Sequence, residues 1–369
     1  MKILVTGGAG FIGSAVVRLA VARGHQVTAA APADDSSAEV AEALSAMGVS
    51  FEPVPMARGG LNPLQDFRSY CALVQLFRTH QPDVVFAYTA KPVIYGGMAA
   101  HKIVGIRFYP MITGLGYAFT EGGGLKRKAI RTLVQWLYRR GLSEAAAAIF
   151  QNPDDEALFH NLNIQPAGVP SVRVHGSGVD LARFLPKPLP EAPVFLMLSR
   201  LVADKGVREY VAAARQIKKR YPKAIFRLAG GLDPNPASIK ASELQAWLDE
   251  GVIEYLGVMD TVQPALAACR IYVLPSYREG TPRSVLEALA TGRPVITTDA
   301  PGCRETVVPS QNGLLVPPRD AEALAEAMVE LIEAPQDKIE RMAEASLALA
   351  KEKFDVHAVN RTLLGIMGL

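Results

Sequence analysis

At 369 residues, with 49% hydrophobic and 20% charged positions, the chain is long enough for two domains with separate cores and too apolar to be disordered. A net charge of +3 gives no global footprint for nucleic acid, and three cysteines without paired or metal-ligand spacing (Cys71, Cys269, Cys303) argue against a disulfide framework and for a reducing compartment. The six histidines form no His-x-x-x-His or Cys/His cluster, and no apolar run approaches the roughly 20 residues that span a bilayer.

The chain enters a strand at once, Lys2–Thr6, without a basic and apolar leader, so no secretory signal is expected. The turn that follows, Gly7-Gly8-Ala9-Gly10-Phe11-Ile12-Gly13, runs toward a helix over Ala15–Arg23, and its glycines permit close approach of backbone to a ligand. Strands are predicted next at Gln26–Ala31, Val84–Tyr88, Arg107–Ile112 and Ala146–Gln151, with helices at Gln65–Thr79, Gly97–Ile103 and Leu125–Arg140. The proline-dense stretch Leu185–Pro193 reads as a linker. Beyond it, strands at Val194–Leu198, Ile225–Ala229, Val252–Leu256, Ile271–Leu274 and Val295–Thr298 alternate with helices, Arg208–Arg220 among them, and a last helix spans Val356–Ile366. Such alternation predicts an α/β protein with parallel sheets covered on both faces and ligands beyond the carboxyl ends of the strands.

Two turns at strand ends carry the chemistry. Tyr277-Arg278-Glu279-Gly280-Thr281-Pro282-Arg283-Ser284-Val285-Leu286-Glu287 opens a short helix that Gly292-Arg293-Pro294 ends. Thr281 is the expected N-cap and Pro282 belongs to the first turn. The N–H groups at this helix start, near Arg283 and Ser284, attract phosphate, and Glu279 and Glu287 flank it as hydroxyl acceptors. Taken alone, two glutamates eight apart are more often a solvated face. The second turn, Ser199-Arg200-Leu201-Val202-Ala203-Asp204-Lys205-Gly206, sets two cations between a strand and a helix, where they can neutralise a diphosphate. Phosphates in the middle and hydroxyls at each end describe a nucleotide sugar.

Read alone, Met1–Gly13 resembles the NAD(P)-binding turn of extended short-chain dehydrogenases and sugar-nucleotide epimerases, with a likeness over about 25 residues. Asp34 or Asp35 stands where their ribose-binding acid follows, yet none of the eleven tyrosines has the lysine four residues later that those enzymes need. From about residue 50 to 350 the chain resembles the retaining family-4 glycosyltransferases. The two turns above carry the likeness, together with Arg58–Pro63, Lys91–Gly97, Thr113–Thr120, Phe150–Asp155, Gly176–Asp180 and Thr298–Thr306. Within that family it is similar to bacterial undecaprenyl-diphosphate-glycan N-acetylhexosaminyltransferases.

The resemblance implies the glycosyltransferase B-type fold, two Rossmann-like domains facing across a cleft. Residues 1–180 would be the acceptor side, with 354–369 packing back onto it, and 190–353 would bind the nucleotide sugar. It also implies retaining transfer of a sugar, an N-acetylhexosamine, from a UDP-sugar to a lipid-diphosphate-linked glycan. Arg200, Lys205 and the N–H groups near Arg283 and Ser284 then stabilise the leaving diphosphate without a metal or any other cofactor, in keeping with a sequence that has no Asp-x-Asp. Glu279 positions the sugar, Glu287 holds ribose hydroxyls, Thr281 and Pro282 line the donor, and Gly257-Val258 either meets the base or is an ordinary strand-end turn. Two alternatives stay open: an NAD(P)-dependent sugar-nucleotide epimerase or dehydratase, and a UDP-N-acetylhexosamine 2-epimerase.

On the acceptor side, the Gly8-Ala9-Gly10 turn suits a dinucleotide or an acceptor alike. Lys91 either meets the acceptor's phosphate or is an ordinary surface lysine. Thr113 holds the place where family members often present a histidine, and no catalytic role is assigned to it. Leu125–Arg140 carries Lys126, Arg127, Lys128, Arg131, Arg139 and Arg140 with no acid, beside an apolar stripe (Ile130, Leu133, Val134, Leu137) and Trp136 and Tyr138. It is either a core-facing helix with a solvated basic side or a dock for anionic lipid. The second reading makes the protein cytoplasmic and peripheral on the inner face of the cell membrane.

Overall fold

The computed structural model describes residues 1–7, 11–32, 37–57, 60, 62–115, 119, 125–233 and 238–369, the side chains of 11, 12, 14 and 125–127 excepted. They divide into two compact units, Met1–Ser177 with His357–Leu369, and Gly178–Val356.

The first unit is built on a parallel sheet of β1 (Lys2–Thr6), β2 (Gln26–Pro32), β3 (Ser50–Val54), β4 (Val84–Tyr88), β5 (Arg107–Ile112), β6 (Ala148–Phe150) and β7 (Ser171–Arg173). The spatial order is β3-β2-β1-β4-β5-β6-β7. Helices α1 (Phe11–Ala22), α2 (Ser37–Ser45), α3 (Pro63–His80), α4 (Ala90–Ala100), α5 (Leu125–Gly141) and α6 (Pro153–Asn161) make the connections. β4 is buried at every residue, which is why it reads as an unbroken apolar run rather than an alternating one. The edge strands β3 and β7 escaped the sequence reading. One carries Glu52 and Pro53, and the other is three residues long, so neither is an apolar run.

Helix α4 begins directly after β4, well before the predicted Gly97–Ile103. Pro92 lies in its first turn, where no N–H is needed. Its internal glycines are there for packing: a Cβ on Gly97 would sit 1.8 Å from the Gly141 carbonyl oxygen at the end of α5. The two helices cross with backbones touching, and no larger residue fits.

The second unit holds β8 (Val194–Leu198), β9 (Ile225–Ala229), β10 (Glu254–Tyr255), β11 (Ile271–Leu274), β12 (Val295–Thr298) and β13 (Gly313–Val316), in the order β10-β9-β8-β11-β12-β13. Around them pack α7 (Val207–Arg220), α8 (Ala241–Asp249), α9 (Gln263–Ala267), α10 (Arg283–Ala290), α11 (Ala321–Glu333) and α12 (Gln336–Lys353). The last helix, α13 (Val356–Met367), contributes Val359, Leu363, Leu364 and Met367 to the first unit's core, on the sheet face shared with Val16 and Val17 of α1. In both sheets the chain steps outward from its first strand and then reverses to that strand's other side. The reversals fall between β1 and β4 and between β8 and β11, and at such points the following loops diverge and leave room for a ligand.

The proline-dense stretch read as a linker is strapped onto the second unit. Arg293, with no exposed surface, donates to the carbonyls of Lys187 (2.6 Å), Pro188 (3.0 Å) and Cys269 (3.0 Å), and Arg270 donates to that of Pro190 (2.8 Å). Prolines lack N–H groups but keep their carbonyls, and two buried arginines supply the donors. Chain passage between the units occurs instead near 178 and 356, where Val179 N–H donates to Phe354 (2.7 Å) and Val356 N–H to Val179 (3.0 Å).

Candidate functional site

In the second unit, Lys205 follows β8 and Glu279 follows β11, the two strands that flank the reversal. The structure joins them: Lys205 Nζ donates to Glu279 Oε1, with the side chains only 21% and 13% exposed. Backbone contacts hold this pair in place. The turn carrying Lys205 is a short 3-10 segment, Ala203–Lys205, whose Asp204 carbonyl accepts from Tyr277 N–H (2.9 Å). The backbone of Glu279 is gripped from the other side, its N–H donating to the Pro301 carbonyl (2.9 Å). Two glycines at positive φ make these approaches possible. A Cβ on Gly206 would fall 2.1 Å from the Pro275 carbonyl oxygen, and one on Gly302 would fall 2.2 Å from that of Glu279. The Thr298–Thr306 motif thus supports Glu279 through its backbone.

Arg200 lies apart from this pair. Its guanidinium is 67% exposed and donates to Asp233 (2.7 Å), a partner the sequence reading missed. Tyr277, also missed, donates its hydroxyl to Glu209 (2.5 Å) and carries the Arg319 guanidinium 4.8 Å above its ring. Burial, and then the Glu209 hydrogen bond, push the Tyr277 phenol well above its usual range.

Helix α10 begins one residue later than expected. Pro282 occupies the N-cap position and Thr281 Oγ1 donates to the Gly280 carbonyl, so Thr281 is not the cap. A proline has no side-chain acceptor for a helix N–H, so α10 starts without a side-chain cap. Glu287 is 6% exposed and accepts from Arg283 Nε (2.7 Å) across one turn. Burial raises its carboxyl above the ordinary range against the pull of Arg283. Gly257 lies at φ 72 after β10, its carbonyl accepting from Gly230 N–H (2.8 Å), while Val258 is 76% exposed. Cys303, behind Glu279, is held inert: burial pushes its thiol up to about 12, and the charge of Glu279 adds to the effect.

In the first unit a cavity of about 500 Å³ lies over the β1/β4 reversal and the ends of β2 and β3, its wall including Gly7, Ala31, Val54, Leu73, Thr89 and Lys91. Gly8, Ala9, Gly10, Asp34 and Asp35 lie outside the described residues. Tyr88 at the end of β4 donates its hydroxyl to the Gly7 carbonyl and accepts from Gly13 N–H (3.2 Å), so it satisfies one first-turn donor of α1. Burial pushes the Tyr88 phenol up to about 12. Next to it Thr89 stands at φ 69, ψ 157, a conformation that costs a non-glycine residue about 1–3 kcal/mol. Lys91, in the first turn of α4, is not a surface lysine: its side chain is 12% exposed and paired with Asp66 (2.7 Å), which also takes a hydrogen bond from Tyr95. Thr113 is half-buried just past β5 and is not part of the cavity wall.

Helix α5 presents Lys128, Arg131, Arg139 and Arg140 to solvent, with Leu133 and Trp136 about half exposed among them and Arg140 over the Trp136 ring. The side chains of Lys126 and Arg127 lie outside the described residues. Tyr138 is 2% exposed, edge-on to Phe119 and Phe159 in the core. No described helix is long and apolar enough to cross a membrane.

Both halves of the chain match known families. Residues 7–175 match a glycosyl transferase 4-like domain, and residues 192–334 match the glycosyl transferases of group 1. The chain is 28% identical over 310 residues, 80% of each protein, to the N,N'-diacetylbacillosaminyl-diphospho-undecaprenol α-1,3-N-acetylgalactosaminyltransferase of Campylobacter jejuni. It is 26% identical over 293 residues, 75% of this chain and 73% of the other, to the UDP-Gal:α-D-GlcNAc-diphosphoundecaprenol α-1,3-galactosyltransferase of Escherichia coli. Among solved structures it resembles sucrose-phosphate synthase of Thermosynechococcus elongatus, with a TM-score of 0.83, 19% identity and coverage of 100% of this chain and 98% of the other. HepE of Anabaena, solved with UDP, has a TM-score of 0.77 at 20% identity, with both chains fully covered.

Proposed function

Since the chain belongs to the glycosyl transferases, 4-like in its amino-terminal half and of group 1 in its carboxyl-terminal half, we propose that it moves an N-acetylhexosamine from a UDP-sugar to a lipid-diphosphate-linked glycan with retention at the anomeric carbon. The Lys205–Glu279 pair carries this reading, held over the β8/β11 reversal beside the start of α10. Breaking the bond from sugar to diphosphate puts negative charge on the leaving oxygen. Lys205 and the first-turn N–H groups of α10 supply preorganised donors for it, so the step needs no metal or other cofactor. Glu279 then stands beside the cation that receives the diphosphate, where a carboxylate can accept hydroxyls of the donor sugar. Glu287, held by Arg283, faces the ribose, and Gly257-Val258 the base. Arg200 joins the diphosphate by exchanging Asp233 for it. The two relatives from C. jejuni and E. coli support the acceptor class, since both are named for a diphosphoundecaprenol-linked N-acetylated sugar, and the second for a UDP-sugar donor as well.

The deciding experiment follows UDP release from UDP-N-acetylglucosamine and UDP-N-acetylgalactosamine with and without prenyl-diphosphate-linked acceptors, beside thermal unfolding with UDP or NAD. Ligand at about 100 times its dissociation constant adds roughly 2.7 kcal/mol to the native state, enough to move the midpoint. Acceptor-dependent release and a shift with UDP alone support the transferase. Conversion of the sugar without acceptor would mean an epimerase, and a shift with NAD alone would restore the dinucleotide reading of the first turn.

Glu279→Ala should lower turnover strongly while UDP affinity largely survives, because the carboxylate addresses the sugar rather than the nucleotide. Loss of UDP binding, measured by calorimetry, would move Glu279 to the nucleotide site instead.

The exposed face of α5 is the proposed contact with the inner leaflet, which places the enzyme in the cytoplasm and peripheral to the membrane. Basic residues near an anionic surface are worth about 1 kcal/mol each. Replacing Lys128, Arg131 and Arg139 by glutamine should therefore weaken co-sedimentation with phosphatidylglycerol vesicles in proportion. Undiminished binding ends the docking idea.

A further inference from the structure

We propose that Arg283 is a positioning residue that fixes the buried Glu287 carboxylate as an acceptor for ribose hydroxyls, and so makes the site prefer a ribonucleotide to its deoxy counterpart. This inference rests on the proposed binding of a UDP-sugar beside α10 and adds the device by which the ribose is read. Both residues lie on α10, one turn apart, with Arg283 at the first helical position. Arg283 Nε donates to Glu287 Oε1 (2.7 Å), and the two side chains are 42% and 8% exposed. Only Oε1 takes that bond, which leaves Oε2 to accept from a ligand.

The pair runs against local preference. The helix dipole disfavours a cation in the first turn, and α10 has neither an acid there nor a side-chain cap. An arginine four residues before its glutamate is also in the weaker of the two orders. Burying the carboxylate has a cost that an apolar side chain at 287 would avoid, and hydrocarbon in place of a buried ion pair often leaves a fold as stable or more so. Stability therefore does not account for the pair. What Arg283 supplies is a carboxylate held in one direction and kept charged. Burial raises the Glu287 carboxyl, Arg283 draws it back, and Arg183 adds a weaker pull. Tyr272 of β11 also senses this carboxylate, and its phenol, raised by burial, stays neutral. An ionised carboxylate accepts from adjacent hydroxyls with both oxygens, whereas protonation turns one oxygen into a donor.

The test compares UDP with 2′,3′-dideoxy-UDP by calorimetry, on the native full-length protein and on Arg283→Leu, Arg283→Lys and Glu287→Gln. The native protein should bind UDP about tenfold tighter or more, the scale of hydrogen bonds to a charged acceptor. In Arg283→Leu the ratio should fall toward one, and Arg283→Lys, which restores a cation on the same helix face, should recover part of it. Glu287→Gln should lose the ratio as fully as Arg283→Leu. Acid should erode the ratio by protonating Glu287, and should do so at a higher pH in Arg283→Leu than in the native protein. The two nucleotides share their phosphates, whose own titration cancels from the comparison. If Arg283→Leu weakens both nucleotides equally and keeps the ratio, Arg283 serves the diphosphate or the helix, and the inference is overturned. An unchanged ratio in Glu287→Gln overturns it as well, whether or not Arg283→Leu folds. Equal binding of the two nucleotides by the native protein does the same, while acceptor-dependent UDP release leaves the transferase standing. If neither nucleotide binds, the UDP-sugar reading falls and takes the inference with it.

Discussion

Lys205→Ala should reduce turnover by about 3 kcal/mol of transition-state stabilisation, roughly a hundredfold in kcat, the scale of losing one preorganised donor. Lys205 is the partner of Glu279, so its removal also leaves a mostly buried carboxylate without its cation. If Lys205 serves only to hold Glu279, the double variant with Glu279→Ala will be no slower than Glu279→Ala alone. If it meets the leaving diphosphate, the double variant will be slower still, and UDP affinity will fall with Lys205→Ala but not with Glu279→Ala. Acceptor-dependent UDP release and calorimetry with UDP separate the two. Unchanged turnover in Lys205→Ala would refute any role at the phosphate.

The residues proposed for the donor site were legible in sequence to different degrees. Lys205 and Glu279 are 74 positions apart, yet both follow short apolar strands, and ligands of parallel sheets collect at strand ends, so their association could be read in outline. What escaped were features set by contact rather than pattern. Gly302 looks like a turn residue until its Cβ is placed against the Glu279 carbonyl. Gly97 looks like a helix start until the Gly141 backbone appears beside it. The cap of α10 went to Pro282 because Thr281 turns its hydroxyl back to Gly280, a local choice that residue type alone does not determine. Lys91 is ambiguous as a word, and only the fold brings Asp66 to it from α3. The first turn is ambiguous as a word: three glycines between a strand and a helix suit a dinucleotide or an acceptor alike, while the tyrosine that takes the Gly13 N–H arrives from β4.

Arg293 gives the second large effect, on stability rather than rate. Gly292-Arg293-Pro294 was legible as the end of a helix, but its arginine has no exposed surface and no carboxylate partner among the described residues. Burial lowers its pKa from the usual value, and the carbonyls of Lys187, Pro188 and Cys269 meet the charge that remains. Arg293→Ala would strip those carbonyls of their donor in a space closed to water, and would open a void between α10, β12 and the proline strap. Lost polar satisfaction at about 1–3 kcal/mol and a cavity of a large side chain together imply about 4 kcal/mol of destabilisation. Arg293→Met restores much of the volume but none of the hydrogen bonds, so it should recover only part of that loss. Chemical denaturation of the three proteins would show the order native, Met, Ala. If the Met variant matched the native protein, packing alone would hold the strap, and the guanidinium would be dispensable to the fold.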